Sequence, residues 1–397
     1  MAEWIEVQLS DILEDKGYIR GPFGSALKRG DMKTEGVPVY EQQHAIYNSR
    51  QFRYFIDEQK FSEMKRFQVK NNDLIISCSG TVGKVSIIRD DDPKGIISQA
   101  LLLLRANTKK VLPLYLKYFF SSREGYNAIV SRSSGSVQVN LSKRNVIEQI
   151  PIKLPPLSTQ QKIVDVLSVI DGKIEENEKI NNNLLEQVLA LYRNRFVDTV
   201  NNERKICRAD EYFDISIGKT PPRKEPQWFS TNPQDVTWVS ISDMGTCGLY
   251  ISSSSEQLTK EAVDRHNVKI VPDNTVLLSF KLTVGRIAIT NGEMTTNEAI
   301  AHFKTDKKEI NEYLYCYLKC FNYQTMGSTS SIATAVNSKI IKGMPFIVPT
   351  DDELMDFHSV AAPMFAKIKA NQTESENLTA VRDTLLPKLM SGELDVS

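Results

Sequence analysis

Apolar positions recur at alternating four- and three-residue steps along two stretches of the chain, each starting just after a proline. The first series is Ile163, Leu167, Ile170, Ile174, Asn177, Asn181, Leu184, Val188 and Leu191. Adding 194 gives Phe357, Ala361, Met364, Ile368, Asn371, Ser375, Leu378, Arg382 and Leu385. This spacing is the seam of a coiled coil, and it predicts two long helical segments, residues 156–203 and 350–397. Only Arg382 breaks the second series, where the neighbouring Val381 is expected to substitute. Ser158 with Gln161, and Thr350 with Glu353, have the spacing of capping boxes that open the helices. Asn177 and Asn371 fall at the same place in the seam. A buried amide there costs stability but disfavours wrong registers, and the pairing favours that role over plain solvent exposure. A helix of about 40 residues is about 60 Å long. Two of them, each leaving one globular block, are expected to pair antiparallel about a pseudo-two-fold axis and to keep the blocks apart.

The blocks, residues 1–155 and 204–349, alternate in a different way. Leu74–Cys78 and Val85–Ile88 flank the turn SGTVGK, and the second block repeats the arrangement around KLTVGR. NDLIISCSGTVGKVSII from Asn72 matches NTVLLSFKLTVGRIAIT from Asn274 at an offset of 202. YLKYFF at Tyr115 parallels YLYCYL at Tyr313, and VNLSK at Val139 parallels VNSK at Val336. Pro151 and Pro155 match Pro345 and Pro349 at an offset of 194. Matches in the same order, with a shrinking offset, indicate a tandem repeat whose loops vary while its framework is kept. The expected fold class is α+β: two mixed α/β blocks joined by the long helices.

Composition refines this only slightly. A chain of 397 residues with 41% apolar and 25% charged positions is long enough for two globular domains. MAEWIEVQLSDILEDKG lacks the basic end and apolar core of a signal peptide, and no run is long enough to span a bilayer. Cys78, Cys207, Cys247, Cys316 and Cys320 form an odd, scattered set, as expected of reduced thiols in a cytoplasm. Cys316 and Cys320 share a helix face but lack partners for a metal, so two packed core thiols are expected. Net charge is zero, yet unevenly spread: 23 basic against 17 acidic residues over 1–155 and 17 against 15 over 204–349. The helical segments carry 5 against 8 and 4 against 9. Phosphate contacts would therefore fall to the blocks.

Candidate DNA-contacting residues lie in matched Gly/Pro-rich or polar loops. YIRGPFGSALKRGD presents Arg20, Ser25, Lys28 and Arg29; ISIGKTPPRKEPQWF presents Lys219, Thr220, Arg223 and Lys224. The hairpin turns supply Thr81 and Lys84, and Lys281, Thr283 and Arg286. The stretches SRSSGSVQVNLSKR and GSTSSIATAVNSK add Arg132, Gln138, Asn140 and Lys143, and Asn337 and Lys339. Cations in such loops suit phosphates, and amides suit adenine edges; equally, each loop read singly is an ordinary solvated loop. Enzymatic signatures are missing. GTVGKV has the wrong spacing for a phosphate-binding loop, no dinucleotide fingerprint follows a strand, and no His/Cys cluster has metal-ligand spacing. His44, His266, His302 and His358 are scattered, as core or surface histidines are. The Pro-Pro pairs stand in LPPL and TPPR rather than in an adenine-methyltransferase motif. No catalytic or metal-binding residue is assigned.

GPFGSALK, LPPLSTQQKIV, GKTPPRKEPQWF and RDTLLPKLMSGEL, in that order and together with the repeat, resemble type I restriction–modification specificity subunits over nearly the whole chain. The resemblance implies two target-recognition domains reading a bipartite duplex through the major groove, with helix length setting an unread spacer. It also implies two docked methyltransferase subunits that carry S-adenosylmethionine, and restriction or translocase subunits using ATP and Mg, with no cofactor in this chain. Two rivals stay open: a coiled-coil scaffold without a DNA role, and a methyltransferase or nuclease whose motif is not apparent.

Overall fold

A computed structural model describes residues 4–131, 140–199, 204–326 and 336–396. The chain forms two compact units, one of residues 1–173 with 378–397 and the other of 174–377. Both long helices are present, Leu157–Tyr192, prolonged by a π-helical turn at Arg193–Val197, and Asp351–Ser391. Each contributes residues to both units.

In the first unit a four-stranded antiparallel sheet has the order Leu13–Arg20, Leu101–Ala106, Leu74–Ser77, Val85–Ile87. Ile5–Gln8 pairs with Pro151–Leu154, and a small sheet joins Phe55–Ile56, Val37–Tyr40 and Ile96–Ile97. The second unit repeats this plan. Asp214–Ile217, Ile300–Lys304, Val276–Ser279 and Ile287–Thr290 follow in the same order, extended by Tyr250–Ile251. Lys205–Arg208 pairs with Pro345–Val348, and Val236–Val239 joins one antiparallel and one parallel neighbour as Val37–Tyr40 does. The repeat extends to single hydrogen bonds. Tyr115 donates its hydroxyl to the Lys153 carbonyl, and Tyr313 to that of Ile347, 194 residues further on. The middle strands LIIS and VLLS are wholly buried and read as continuous apolar runs because both faces are covered.

The long helices complete each core. Ile163, Val164 and Leu167 meet Leu386, Leu389 and Met390 over the first sheet. Val188, Leu189, Tyr192 and Phe196 meet Leu354, Phe357, Ala361, Phe365 and Ile368 over the second. Within each unit the helix partners therefore run antiparallel, with sequence numbers rising along one and falling along the other. Ile170, Ile174, Leu184, Met364, Leu378 and Leu385 are half-buried along the same seam. Asn177 and Asn371 are each 1% exposed. Asn177 donates to the Asn371 carbonyl, the Glu374 carboxylate (2.8 Å) and the Ser375 hydroxyl, while Asn371 donates to Asn181 Oδ1 (2.8 Å). The bonds Asn177 to Ser375 and Asn371 to Asn181 are exchanged by the 194-residue offset. Both amides are thus buried and hydrogen-bonded across the seam rather than solvent-exposed.

Two seam expectations are corrected. Thr350 and Glu353 form the reciprocal box, but Ser158 lies inside a helix that begins at Leu157, and Gln161 bonds Asp165 instead. Buried Gln160 anchors that helix start, accepting from Leu112 N–H and donating to the carbonyls of Lys110 and Pro155. Nor does Val381 substitute for Arg382: the valine is 49% exposed. Arg382 itself takes the seam position because Asp171 faces it at 3.1 Å, and Asp171 also receives Lys117 (2.9 Å) and the Tyr118 hydroxyl (3.0 Å). The matched positions in the second unit are Val188, Phe365 and Tyr315, where the two rings pack edge to face at 5.7 Å. Cys316 is buried in the second core and Cys320 packs against it.

Burial alone would raise the Asp171 carboxyl, yet Lys117, Arg382 and Tyr118 hold it below the ordinary carboxylate value. Its contribution to stability is therefore full above the unfolded pKa of about 3.9 and is lost as pH falls through the lower folded value. Asp171→Asn leaves two half-buried cations short of a partner and is expected to destabilise the chain by about 1–3 kcal/mol at neutral pH. Chemical denaturation of wild type and variant checks this, and the difference is expected to shrink in strong acid.

Candidate nucleic-acid interface

The sheet order brings the candidate loops of each unit to one end of its main sheet. In the first unit the strand ending at Arg20 passes into its loop through Gly21, whose N–H meets the Leu101 carbonyl, and Leu101 pairs with Ser77 at the hairpin's start. In the second, Gly218 meets the Ile300 carbonyl and Ile300 pairs with Ser279. Both corners require glycine: a Cβ on Gly21 would lie 1.9 Å from the Ser98 carbonyl oxygen, and one on Gly218 would lie 2.1 Å from Thr296 Oγ1.

The hairpin turns are built alike. Ser77 Oγ accepts from Lys84 N–H and Ser279 Oγ from Arg286 N–H, both at 3.0 Å, and Gly83 and Gly285 each donate to the serine carbonyl. The basic side chains then diverge. Lys84 is exposed, its ammonium 5.0 Å from the centre of the Tyr126 ring. Arg286 turns inward, donating to the Ile241 carbonyl at 2.6 Å and lying against Gly245, where a Cβ would be 2.4 Å from its Nη1. Arg286 is thus a brace of its own unit.

Arg20 is half-buried near Phe23, and its Nη1 is buried with no hydrogen-bond partner among the described residues. Ser25 falls in the turn Gly24–Ala26, and exposed Lys28 and Arg29 follow. Thr81 is exposed in the hairpin turn between Leu74–Ser77 and Val85–Ile87. Asn140 joins the same end by a bridge to Ser79, whose hydroxyl donates to Asn140 Oδ1 at 2.9 Å. Lys143 is exposed at the start of Arg144–Ile147. Arg132 and Gln138 lie outside the described residues.

The second unit's loops are more internally paired. Lys219 donates to the His266 carbonyl at 2.6 Å, and Arg223 forks onto Glu256 while stacking 4.1 Å from the Phe229 centroid. Lys224, Lys281, Thr283 and Lys339 are exposed. Asn337 is a helix cap, accepting from Ile340 N–H at 3.0 Å. Thr220 donates to Glu298, an exposed acid that the sequence reading did not single out. Burial would raise the Glu298 carboxyl, but the Thr220 hydroxyl, Lys281 and Arg223 hold it below its ordinary value. A carboxylate in a basic loop set is an acceptor for a cytosine amino group. His302, by contrast, is core: wholly buried between Ser216 and Thr296, its pKa is pushed by burial down to about 3.

Among the described residues no group of His, Cys, Asp and Glu has metal-site geometry, and no helix is long and apolar enough to cross a membrane. Each loop end instead combines cations with hydroxyl and amide groups, a mixture suited to positioning on phosphates and reading base edges.

Residues 1–186 and 202–373 each match the profile of the type I restriction modification DNA specificity domain. The chain is 21% identical to the type I restriction enzyme HindI specificity subunit of Haemophilus influenzae, covering 79% of this chain and 84% of that one. It is 27% identical to the MjaIX specificity subunit of Methanocaldococcus jannaschii, covering 72% and 70%. Its fold is similar to the crystal structure of a type I restriction-modification S subunit from M. genitalium, with TM-score 0.55, 15% identity and coverage of 98% and 96%.

The divergence of the two basic turn residues has a measurable consequence. Arg286→Ala is expected to destabilise the chain by about 1–2 kcal/mol through the lost carbonyl bond and packing, and Lys84→Ala to stay within about 0.5 kcal/mol. Paired denaturation curves check it; equal losses would contradict the assignment.

Proposed function

The chain belongs to the family of type I restriction–modification DNA specificity subunits, and from that premise we propose that it reads a bipartite duplex target, one half-site per unit. The observation that carries the reading is the duplicated sheet with its polar loops gathered at the same end in both copies. Lys28, Arg29, Lys84, Lys143, Lys224, Lys281 and Lys339 contact phosphates in this reading, and Thr81, Asn140, Thr220 and Thr283 face base edges. Binding is weak for one half and selective for both, because the second engages at high effective concentration.

Chemistry belongs to partners. Two methyltransferase subunits carrying S-adenosylmethionine dock on the long helices, and restriction or translocase subunits using ATP and Mg join the assembly. Support for docking comes from apolar residues left exposed at matched helix positions, Val166 at 40% and Val360 at 43%. The spacer between half-sites is set by helix length, supported by the continuity of each long helix from one unit into the other.

Co-expression with a cognate methyltransferase subunit, followed by sequencing of methylated adenines, is expected to give a two-part motif with a fixed gap. A continuous motif or scattered marks would overturn the proposal. Target binding by that complex is expected to fall steeply as salt rises from about 50 to 200 mM. Removing one heptad from both long helices shortens them by about 10 Å. The gap is then expected to shrink by about three base pairs with both half-sites unchanged; altered half-sites with the original gap would refute the spacer role.

A further inference from the structure

The matched hairpin turns share a backbone but not a side chain at their tip. In the first unit the tip is Gly80 at φ 66°, with open space where a Cβ would stand. The second unit places Leu282 there at φ 59°, and Gly83 and Gly285 also match, at 86° and 91°. Apart from glycines, the left-handed residues among those described are Lys16, four asparagines and Leu282. Asparagine tolerates this region through its own hydrogen bonds; leucine does not. The turn is also tight, since Thr283 N–H donates to the Lys281 carbonyl at 2.6 Å across Leu282, a three-residue turn of the strained, positive-φ kind.

Among the described residues nothing compensates for this strain. Leu282 is 100% exposed, so its side chain buries no surface, and glycine already serves the same turn in the other copy. A bulky apolar group held in an unfavourable backbone state, at the end of a hairpin and between exposed Lys281 and Thr283, is placed to gain contacts from outside the chain. A two-stranded ribbon fits the major groove, about 12 Å wide, and not the minor groove of about 6 Å. The apolar feature that the major groove offers is the thymine C5-methyl.

We propose that Leu282 is a specificity-determining residue that packs on the methyl group of a thymine in the half-site read by the second unit. Lys281 then anchors on the neighbouring phosphate and the Thr283 hydroxyl faces the adjoining base edge. The inference rests on the DNA-reading role proposed above and names one base for it.

The test uses the complex with the methyltransferase subunit and the target mapped by methylation. Each thymine of the target is replaced in turn by uracil, which lacks only the methyl group. One replacement, in the half-site of the second unit, is expected to weaken wild-type binding about four- to tenfold. L282G is expected to lose about the same on the thymine target, to lose nothing further on that uracil target, and to melt no lower than wild type. Wild-type binding unchanged by every uracil overturns the inference, as does an L282G complex that binds as tightly as wild type. A loss in L282G that is independent of the methyl also overturns it, since contact would then be elsewhere. If the wild-type complex does not prefer its target over scrambled DNA, the DNA-reading role itself fails, a result distinct from all of these.

Discussion

Neither globular half of this chain has a complete core of its own; each is closed by turns of two helices that also serve the other half. Ile163, Leu167, Leu386 and Leu389 finish the first core, and Tyr192, Phe196, Phe357 and Phe365 the second. Burial of such side chains is worth about 1.5–3 kcal/mol each, so unpairing the helices would expose a large part of either core. The register of that pairing is consequently the constraint on which both cores depend. Asn177 and Asn371 tie the two helices together, through bonds to Glu374, Ser375 and Asn181.

Duplication explains the architecture, and divergence between the copies locates what is particular to each. Asp171 with Lys117 and Arg382 occupies one junction of three helices, and Phe365, Tyr315 and Val188 occupy its counterpart. An ion cluster and an aromatic pair fill the same backbone space by different physics. The first is sensitive to pH and the second is not. Leu103 in the strand Leu101–Ala106 becomes His302 in Ile300–Lys304, neutral and held by two hydroxyls. Such exchanges change the buried contacts while the framework stays constant.

Much of this was legible from the pattern of residues. The 194-residue offset, the alternating seam and the matched hairpins gave both long helices, their antiparallel partners within each unit, the place of the paired asparagines in the seam and the repeated sheet. These features are periodic, and periodicity follows from local geometry that one sequence carries in full. Glycines at the hairpin turns and prolines before the helices marked their boundaries for the same reason.

What the sequence could not decide is where side chains of equal chemistry end up. Lys84 and Arg286 are the same letter class at the same turn, yet one faces solvent and the other braces Ile241. Arg382 looked like a defect in the seam until Asp171, distant in sequence, was found opposite it. Ser158 has the spacing of a cap, but the buried Gln160 amide moved the helix start. The Thr220–Glu298 contact and the positive φ of exposed Leu282 exist only in the folded chain. The sequence by itself determined the elements, their duplication and their pairing, because these arise from short-range repeats of apolar and polar positions. Tertiary structure alone decided which polar groups are partnered and which remain available, because those partners are brought together by packing across the whole chain.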